Sequence, residues 1–386
     1  MKTIRLGATA LEISEIGFGG IPIIPLPQEE AVSVVRHCFD LGITFFDTAN
    51  MYPTSEEKLG IALKSIRNKV AIATKSAQRD AKGTAEHIDL SLRQLQTDWI
   101  DVYQLHNVSN EDALNQVLAP QGAYEAVSKA RDAGKIRFIG ISSHSIATAM
   151  EALKSGLFQT LQFPFNFIES DPVDQLFPLA TKNKVGIIGM KPLGGGVLER
   201  ADLCFRFLQR HPYVVPIPGI RAKKEADEII DLYRNPEPLS EVDLKDIENI
   251  RSALGEKFCH RCEYCMPCEQ GVQIPSVLMF QAAAKRLSRE GVKGWIGKAM
   301  ESVGQCIECG ECEQKCPYNL PISDLLKENL ALYNQYARSY FHILKWRKHE
   351  EMREMDGLDG CRAMRGPFQR DTCERAGPES LRGGCR

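Results

Sequence analysis

Eight of the thirteen cysteines lie between residues 259 and 316, at spacings that suit metal ligands. The first set takes every third position and consists of Cys259, Cys262, Cys265 and Cys268. The second set reads C-x2-C-x2-C-x3-C-P and consists of Cys306, Cys309, Cys312 and Cys316. Three thiolates two residues apart let one tight loop wrap a cubane cluster, whereas every third residue of a helix drifts around its axis. The two sets therefore predict an iron–sulfur centre with one or two [4Fe–4S] clusters.

The two cysteine sets differ in how closely they follow a known spacing. The second set has the spacing of bacterial ferredoxins, in which the fourth cysteine binds the other cluster of a pair. In the first set only two residues precede Cys268, and Glu269 stands where a proline is expected. One cluster with spare thiols therefore remains an alternative, and the spacing does not assign Cys268 or Cys316 to a cluster. A pair of zinc knuckles is a further alternative, but it accounts for only four of the eight cysteines.

A second group of chemically capable side chains precedes the cysteines: Asp47, Tyr52, Lys75 and His106. Each of them alone has an ordinary structural explanation, such as a turn, packing or a solvated strand end. Together they can protonate a carbonyl oxygen while its carbon receives hydride from a cofactor. The lysine would lower the pKa of the tyrosine, the buried aspartate would keep the lysine charged, and the histidine would orient the carbonyl.

The elements that must position these residues alternate between β-branched runs and amphipathic helical stretches over residues 13–234. The predicted strands are Ile16–Gly20, Ile43–Thr48, Val70–Lys75, Ile100–His106, Ile136–Ser142, Leu157–Phe163, Val185–Met190 and Val214–Pro218. Eight strands alternating with helices predict a (β/α)8 barrel, whose active site lies at the C-terminal ends of the strands. Asp47, Lys75 and His106 would then end three successive strands. An open doubly wound sheet is the competing fold, but GFGGIPIIP is a weak form of its phosphate loop.

The segments FDTANMY, ATK and QLHN around these residues resemble the active-site segments of the aldo/keto reductases. The resemblance spans roughly residues 3–230. It implies a (β/α)8 TIM barrel that uses NAD(P)H without a Rossmann domain. It also implies that Tyr52 is the general acid, that Lys75 and Asp47 tune it, and that His106 orients the carbonyl.

The same resemblance implies where the cofactor binds. The residues implied are Ser142, Ser143 and Gln162 at the nicotinamide amide, Lys191, Pro192, Leu193 and Gly194 under the pyrophosphate, and Gly219, Arg221 and Glu228 at the adenosine end. An ordinary loop and a solvated helix start are the structural alternatives. Met190 and Ile229 depart from the residues common in the family. Three basic residues between positions 221 and 224 favour NADP over NAD.

The whole chain resembles a subgroup in which such a barrel precedes a ferredoxin-type domain. We therefore expect the barrel over residues 1–235 and a helical linker over 236–257. A small α-helical, ferredoxin-like 4Fe-4S domain that ends in a helix is expected over 258–350, and a disordered tail over 351–386. The tail carries Cys361, Cys373 and Cys385, which offer a further candidate metal site.

Composition limits the compartment and the partners. A net charge of −2 favours neither nucleic acid nor an acidic membrane surface. No apolar run approaches the roughly 20 residues that span a bilayer, and the start of the chain lacks the apolar core of a signal peptide. We therefore expect a reducing cytoplasm, where disulfide frameworks are rare.

The expected function is that of an NAD(P)H-dependent oxidoreductase, which interconverts an aldehyde or ketone with an alcohol and carries [4Fe–4S] clusters for electron transfer or structure. A small-molecule carbonyl or alcohol substrate and a redox partner protein are the expected partners. The alternative is an iron–sulfur electron-transfer or redox-sensing protein whose barrel binds nucleotide or docks a partner.

Overall fold

The computed structural model describes residues 1–338 of the 386-residue chain. Residues 1–333 form one compact unit, which holds both the predicted barrel and the cysteine-rich region. The predicted tail over 351–386, with Cys361, Cys373 and Cys385, lies outside the described residues, as does the last part of the predicted C-terminal helix.

The chain begins with a hairpin that the sequence analysis did not predict. Strands β1 (Thr3–Arg5) and β2 (Glu12–Ser14) pair antiparallel. The backbone N–H of Ala8 then donates to the Lys184 carbonyl at 2.7 Å, at the start of a barrel strand. The hairpin therefore covers the N-terminal end of the barrel. Strands of three residues are too short for their alternation to stand out in the sequence.

Eight parallel strands follow one another around the centre of the unit. They are β3 (Phe18–Gly19), β4 (Phe45–Asp47), β5 (Ala71–Ser76), β6 (Ile100–Leu105), β7 (Ile136–Ser142), β8 (Thr160–Pro164), β9 (Gly186–Met190) and β10 (Val214–Ile217). Gly17 N donates to Pro216 O at 2.9 Å and Gly19 N donates to Pro218 O at 2.8 Å. These bonds join the first strand to the last, so the predicted (β/α)8 barrel is confirmed.

Helices surround the strands and bury one apolar face against them. They are α1 (Gln28–Asp40), α2 (Ser55–Leu63), α3 (Ala81–Gln94), α4 (Glu111–Leu118), α5 (Ala123–Asp132), α6 (Ile146–Lys154), α7 (Leu176–Lys182), α8 (Ala201–Gln209) and α9 (Lys223–Arg234). In α1 the buried residues Ala31, Val34, Val35 and Cys38 recur at three- and four-residue intervals. That period places them on one helical face, as in any amphipathic surface helix.

Helices also make up the region that follows the barrel in the chain. They are α10 (Glu241–Leu254), α11 (Ile274–Leu278), α12 (Phe280–Arg286), α13 (Arg289–Ser302) and α14 (Glu311–Gln314), and a further helix begins at residue 322. Ser240 caps α10, because its hydroxyl accepts from Asp243 N at 3.2 Å. Val277, Phe280 and Ile296 belong to the buried core of this region. No helix within residues 1–338 is both long and apolar enough to span a bilayer.

Candidate active site and cluster sites

Asp47 and Lys75 form a buried ion pair at the C-terminal ends of β4 and β5. Lys75 Nζ lies 2.6 Å from Asp47 Oδ2 and donates to the Thr48 carbonyl at 2.6 Å. Gln104 Nε2 donates to the other oxygen of Asp47 at 3.2 Å. Burial raises the pKa of Asp47 and lowers the pKa of Lys75, and the attraction between their charges opposes both shifts. The pair therefore stays together as a net-neutral unit inside the barrel mouth.

Tyr52 lies beside this pair and beside His106. The centroid of the Tyr52 ring is 5.3 Å from Lys75 Nζ, and the Tyr52 and His106 rings meet edge to face at 6.0 Å between centroids. Burial and the charge of Asp47 raise the pKa of Tyr52. The expected lowering of that pKa by Lys75 is not seen, because the ammonium group points at Asp47 and the Thr48 carbonyl.

His106 is held in its neutral form. Burial lowers its pKa well below the ordinary value, and the charges of Lys75, Arg79 and Lys191 lower it further. Its Nδ1 is buried and has no hydrogen-bond partner within residues 1–338. A neutral imidazole carries one N–H donor, and it lies beside Tyr52, although neither His106 nor Lys75 is among the residues that line the cavity described next.

A cavity of about 410 Å³ opens at the C-terminal ends of the strands, within the range of small-molecule sites. The predicted residues that line it are Asp47, Tyr52, Gln162, Lys191, Pro192, Leu193, Gly219, Arg221 and Glu228. Oε1 of Gln162 is buried and has no partner in the described part of the chain. That unused acceptor can receive an amide N–H, which fits the predicted contact with a nicotinamide.

The floor of this cavity contains glycines with positive φ. Gly194, Gly195 and Gly196 have φ of +55°, +78° and +90°, a region that L side chains rarely adopt. Gly195 and Gly196 line the cavity, whereas the predicted Gly194 is not among the lining residues. A Cβ added to Gly219 would lie 2.5 Å from Pro22 Cγ. Bare backbone here lets a phosphate approach closely, so the residues present fit a dinucleotide.

Ser142 and Ser143 are not among the residues that line the cavity. Ser142 Oγ accepts from the backbone N–H of Asn107 at 2.9 Å. Ser143 Oγ donates to the Ser145 carbonyl at 3.2 Å. Both hydroxyls are thus used to hold the loops behind the cavity.

Next to these serines lies a hydrogen-bonded chain of polar side chains that was not predicted from the sequence. Lys191 Nζ donates to Nε2 of His144, and His144 Nδ1 lies 2.9 Å from Asn107 Oδ1. Lys191 and Asn107 are both non-glycine residues with positive φ, at +58° and +52°. Such strained backbone concentrates at functional sites. The histidine inside GISSHS was the available signal.

Ion pairs join the cysteine-rich region to the barrel, and two residues of that region line the cavity. Arg261 Nη2 pairs with Glu169 Oε1 at 2.8 Å, and both side chains are buried. Lys285 Nζ pairs with Glu199 Oε1 at 3.0 Å. Lys285 and Arg286 themselves line the cavity. Sequence reasoning could not find them, because they are remote in the chain from every barrel strand.

The eight cysteines divide between two cavities. The first cysteine cavity is lined by Cys259, Cys262, Cys265 and Cys316. The second cysteine cavity is lined by Cys265, Cys268, Cys306, Cys309 and Cys312. Cys265 thus borders both cavities, and each cavity combines three thiols of one set with at least one thiol of the other. Four thiolates around one cavity are the donor set that a [4Fe–4S] cluster requires.

The thiols surround these cavities without converging on a single point. All ten cysteines in the described part of the chain are free thiols. No group of three His, Cys, Asp or Glu side chains within residues 1–338 is arranged to hold one metal ion. A cubane cluster requires no such convergence, because each thiolate binds a different iron.

Comparison with known proteins assigns both parts of the chain. Residues 15–204 match the aldo/keto reductase family, and residues 258–321 match the 4Fe-4S dicluster domain. The uncharacterised oxidoreductase YqkF of Bacillus subtilis (strain 168) is 29% identical over 217 residues, which cover 53% of this chain and 68% of the relative. L-galactose dehydrogenase of Arabidopsis thaliana is 31% identical over 212 residues, which cover 50% of this chain and 66% of the relative.

Among solved structures, an aldo-keto reductase from Klebsiella pneumoniae in complex with NADPH aligns with a TM-score of 0.56 and 24% identity. The alignment covers 65% of this chain and 95% of that chain, and it shows a shared barrel fold. The chain itself spans about two thirds of the length of the two curated relatives. It is a member of the aldo/keto reductase family in which a 4Fe-4S dicluster domain follows the barrel.

Proposed function

We propose that the protein reduces an aldehyde or ketone to an alcohol with NADPH, and catalyses the reverse reaction. One observation carries the proposal: Tyr52 lines the same cavity as the amide of Gln162 and the glycine loop, with His106 beside its ring. An electron-transfer or redox-sensing barrel has no need of an acid in that position. When bound, a reduced nicotinamide supplies the hydride.

The protein's own side chains would transfer the proton. Tyr52 donates its hydroxyl proton to the carbonyl oxygen as the carbonyl carbon becomes tetrahedral. Neutral His106 donates a hydrogen bond to the same oxygen and orients it. Asp47 and Lys75 would hold the ends of β4 and β5 together beside Tyr52. The balance of the step is one hydride and one proton added across the C=O bond.

The cavity also supports the choice of NADP. Arg221 lies at its outer end with Glu225 and Glu228, and Lys223 and Lys224 begin α9 next to it. A guanidinium with nearby ammonium groups suits the 2′-phosphate that distinguishes NADP from NAD. The Klebsiella pneumoniae relative was solved with NADPH.

We further propose two [4Fe–4S] clusters, one in each cysteine cavity. Cys316 would complete the cluster of the first set, and Cys268 would complete the cluster of the second set. When bound, each cluster supplies one-electron transfer, whereas hydride carries two electrons. The clusters would therefore serve structure or exchange electrons with a redox partner protein. A reducing cytoplasm suits the free thiols and remains our prediction.

The domain bounds stay a proposal as well. A barrel over 1–235, a linker over 236–257 and a cluster domain from 258 agree with α9 ending at Arg234 and α10 ending at Leu254. The matched segments 15–204 and 258–321 fall inside the two proposed domains.

The deciding experiment replaces Tyr52 with Phe. We expect Tyr52→Phe to lower kcat for the reduction of an aldehyde panel by about 10²- to 10⁴-fold, the usual contribution of a general acid. The dissociation constant for NADPH and the iron content should stay unchanged. Tyr124→Phe removes a hydroxyl on α5 outside the cavity and serves as the control. Full carbonyl reduction by Tyr52→Phe would overturn the mechanism and favour the electron-transfer alternative.

A further inference from the structure

Arg286 is the last residue of α12 and reaches into the barrel cavity from the cluster domain. It lines the cavity together with Tyr52 and Gln162. Its Nε donates to the Gly195 carbonyl, which anchors the guanidinium against the glycine loop. A Cβ at Gly195 would lie 1.9 Å from Arg286 Nη2. The glycine therefore makes room for the arginine as well as for a ligand.

One end of the guanidinium lacks a hydrogen-bond partner among the described residues. Nη2 of Arg286 is buried and makes no hydrogen bond to any residue between 1 and 338. Its neighbour Lys285 is satisfied, since Lys285 Nζ pairs with Glu199 and donates to the Gly196 carbonyl at 3.3 Å. A buried charged donor that lacks an acceptor costs free energy. An unused N–H on a side chain that lines the cavity points to an acceptor brought by a ligand.

The charges around this end of the cavity favour an anion. Lys191 lines the cavity as well as Arg286. Burial lowers the pKa of Lys191 well below its ordinary value, and the charges of Arg261 and Arg286 lower it further, whereas Glu169 opposes them. Burial lowers the pKa of Arg286 itself to about 10. Two cations brought into one partly closed cavity repel each other, and an oxyanion between them would relieve that repulsion.

We propose that Arg286 binds an oxyanion of a molecule held in the barrel cavity, so that the cluster domain completes the reductase site. The inference rests on the proposed function, because it deepens the description of the same site. A guanidinium recognises carboxylate and phosphate oxygens alike. The oxyanion is either the pyrophosphate of NADPH, which would lie over the glycine loop, or a carboxylate or phosphate of the substrate beside Tyr52.

The test compares Arg286→Met with Arg286→Lys, which keeps the charge. Lys298→Met removes one charge from an exposed position on α13 and is the matched control. NADPH binding to the full-length cluster-loaded enzyme is measured by calorimetry. Binding of 4-carboxybenzaldehyde and of benzaldehyde is then measured in the presence of NADP⁺, which cannot reduce them. Iron content and the visible spectrum show whether the cluster domain is intact in each variant.

A pyrophosphate partner predicts that Arg286→Met weakens NADPH binding about tenfold or more, the usual size of a charged hydrogen bond. A substrate partner predicts an equal loss for 4-carboxybenzaldehyde but none for benzaldehyde. Arg286→Lys should recover part of either loss, and Lys298→Met should show none. Unchanged binding of both NADPH and the carboxylated aldehyde by an intact Arg286→Met enzyme overturns the inference.

Failure of the proposed function would look different. A wild-type enzyme that binds NADPH and reduces no carbonyl compound would overturn the proposed reaction. The binding measurements need no turnover, so they would still decide whether Arg286 holds an oxyanion.

Discussion

Tyr52 stands between opposing influences on its pKa. A lysine ammonium near the ring favours the phenolate, whereas burial and the Asp47 carboxylate favour the neutral phenol. Lys75 Nζ lies 2.6 Å from Asp47, and beyond burial the Asp47 carboxylate raises the pKa of Tyr52 while the charge of Arg286 lowers it. Burial then dominates and keeps Tyr52 protonated. A protonated tyrosine suits the direction of carbonyl reduction.

This balance predicts the pH dependence of reduction. Activity requires protonated Tyr52, so it is lost only as pH rises through a pKa that lies above the ordinary value of about 10. Neutral His106 is already present at pH values above its strongly lowered pKa. We expect kcat/KM for reduction to be flat between about pH 6.5 and 10. A steady-state pH profile with a stable aldehyde measures this.

The opposite result would restore the original expectation for Lys75. If kcat/KM fell with a midpoint between about pH 7 and 9, the lysine would be lowering the pKa of Tyr52 after all. Tyr52→Phe has no hydroxyl that can titrate at this position. Any pH dependence of its residual activity therefore belongs to other groups.

The loop between β9 and α8 is the element on which two domains meet. Its three consecutive glycines have positive φ, and Gly195 faces the guanidinium of Arg286 from the cluster domain. Lys191 opens the same loop with φ of +58°. Glycine adopts positive φ readily, so the backbone strain lies at Lys191, which the surrounding packing must hold in place. This loop therefore connects the predicted pyrophosphate site with the cluster domain.

A pair of glycine variants separates backbone strain from this contact. Gly195 has φ of +78° and meets Arg286, whereas Gly134 has φ of +77° and nothing within 4 Å of an added Cβ. Both Gly195→Ala and Gly134→Ala should cost about 1–2 kcal/mol of unfolding free energy, as an L residue pays in the left-handed region. Only Gly195→Ala should also weaken ligand binding, because it displaces Arg286.

Urea denaturation and NADPH titration measure the two effects. The two variants could lose equal stability while Gly195→Ala binds NADPH and the carboxylated aldehyde as the wild type does. The loop would then tolerate movement of Arg286. Such a result would contradict the role given to this contact.

At the scale of the whole molecule, the two cysteine sets depend on each other. Three thiols of one set and at least one of the other line each cavity, and Cys265 borders both. About 40 residues separate the sets in sequence, so folding of α11, α12 and α13 between them must precede completion of either cavity. Cluster binding and folding of this domain are then one cooperative process.

Two double variants test the exchange of Cys268 and Cys316. Cys268→Ser with Cys309→Ser removes two ligands from one proposed cluster and none from the other. Cys316→Ser with Cys309→Ser removes one ligand from each. We expect the first enzyme to keep about four irons of the about eight in two cubanes, and the second to keep fewer. Iron and sulfide analysis of anaerobically purified protein, with EPR after reduction, measures this.

The same experiment distinguishes the uncrossed arrangement. If each set of four held its own cluster, Cys316 and Cys309 would share a cluster and that double variant would retain the other one. Retention of about four irons by the Cys316 variant and loss by the Cys268 variant would contradict our assignment.

The amino-acid sequence alone determined the barrel, the order of its strands and the residues at their ends. Hydrophobic periodicity and strand–helix alternation are local properties, and Asp47, Lys75 and His106 follow from counting to the end of each strand. The same holds for the spacing of the cysteine sets. Ser142 and Ser143 show the limit, since their place in the chain did not reveal that neighbouring backbone groups engage their hydroxyls.

Only the tertiary structure decided which distant groups share a cavity. Arg286 approaches Tyr52 across more than 200 residues of chain, and Cys316 joins the first cysteine set rather than its own. The sign of the shift in the pKa of Tyr52 was decided there as well, because it depends on burial and on where Lys75 points. Desolvation and charge act through space, and a sequence records only neighbours along the chain.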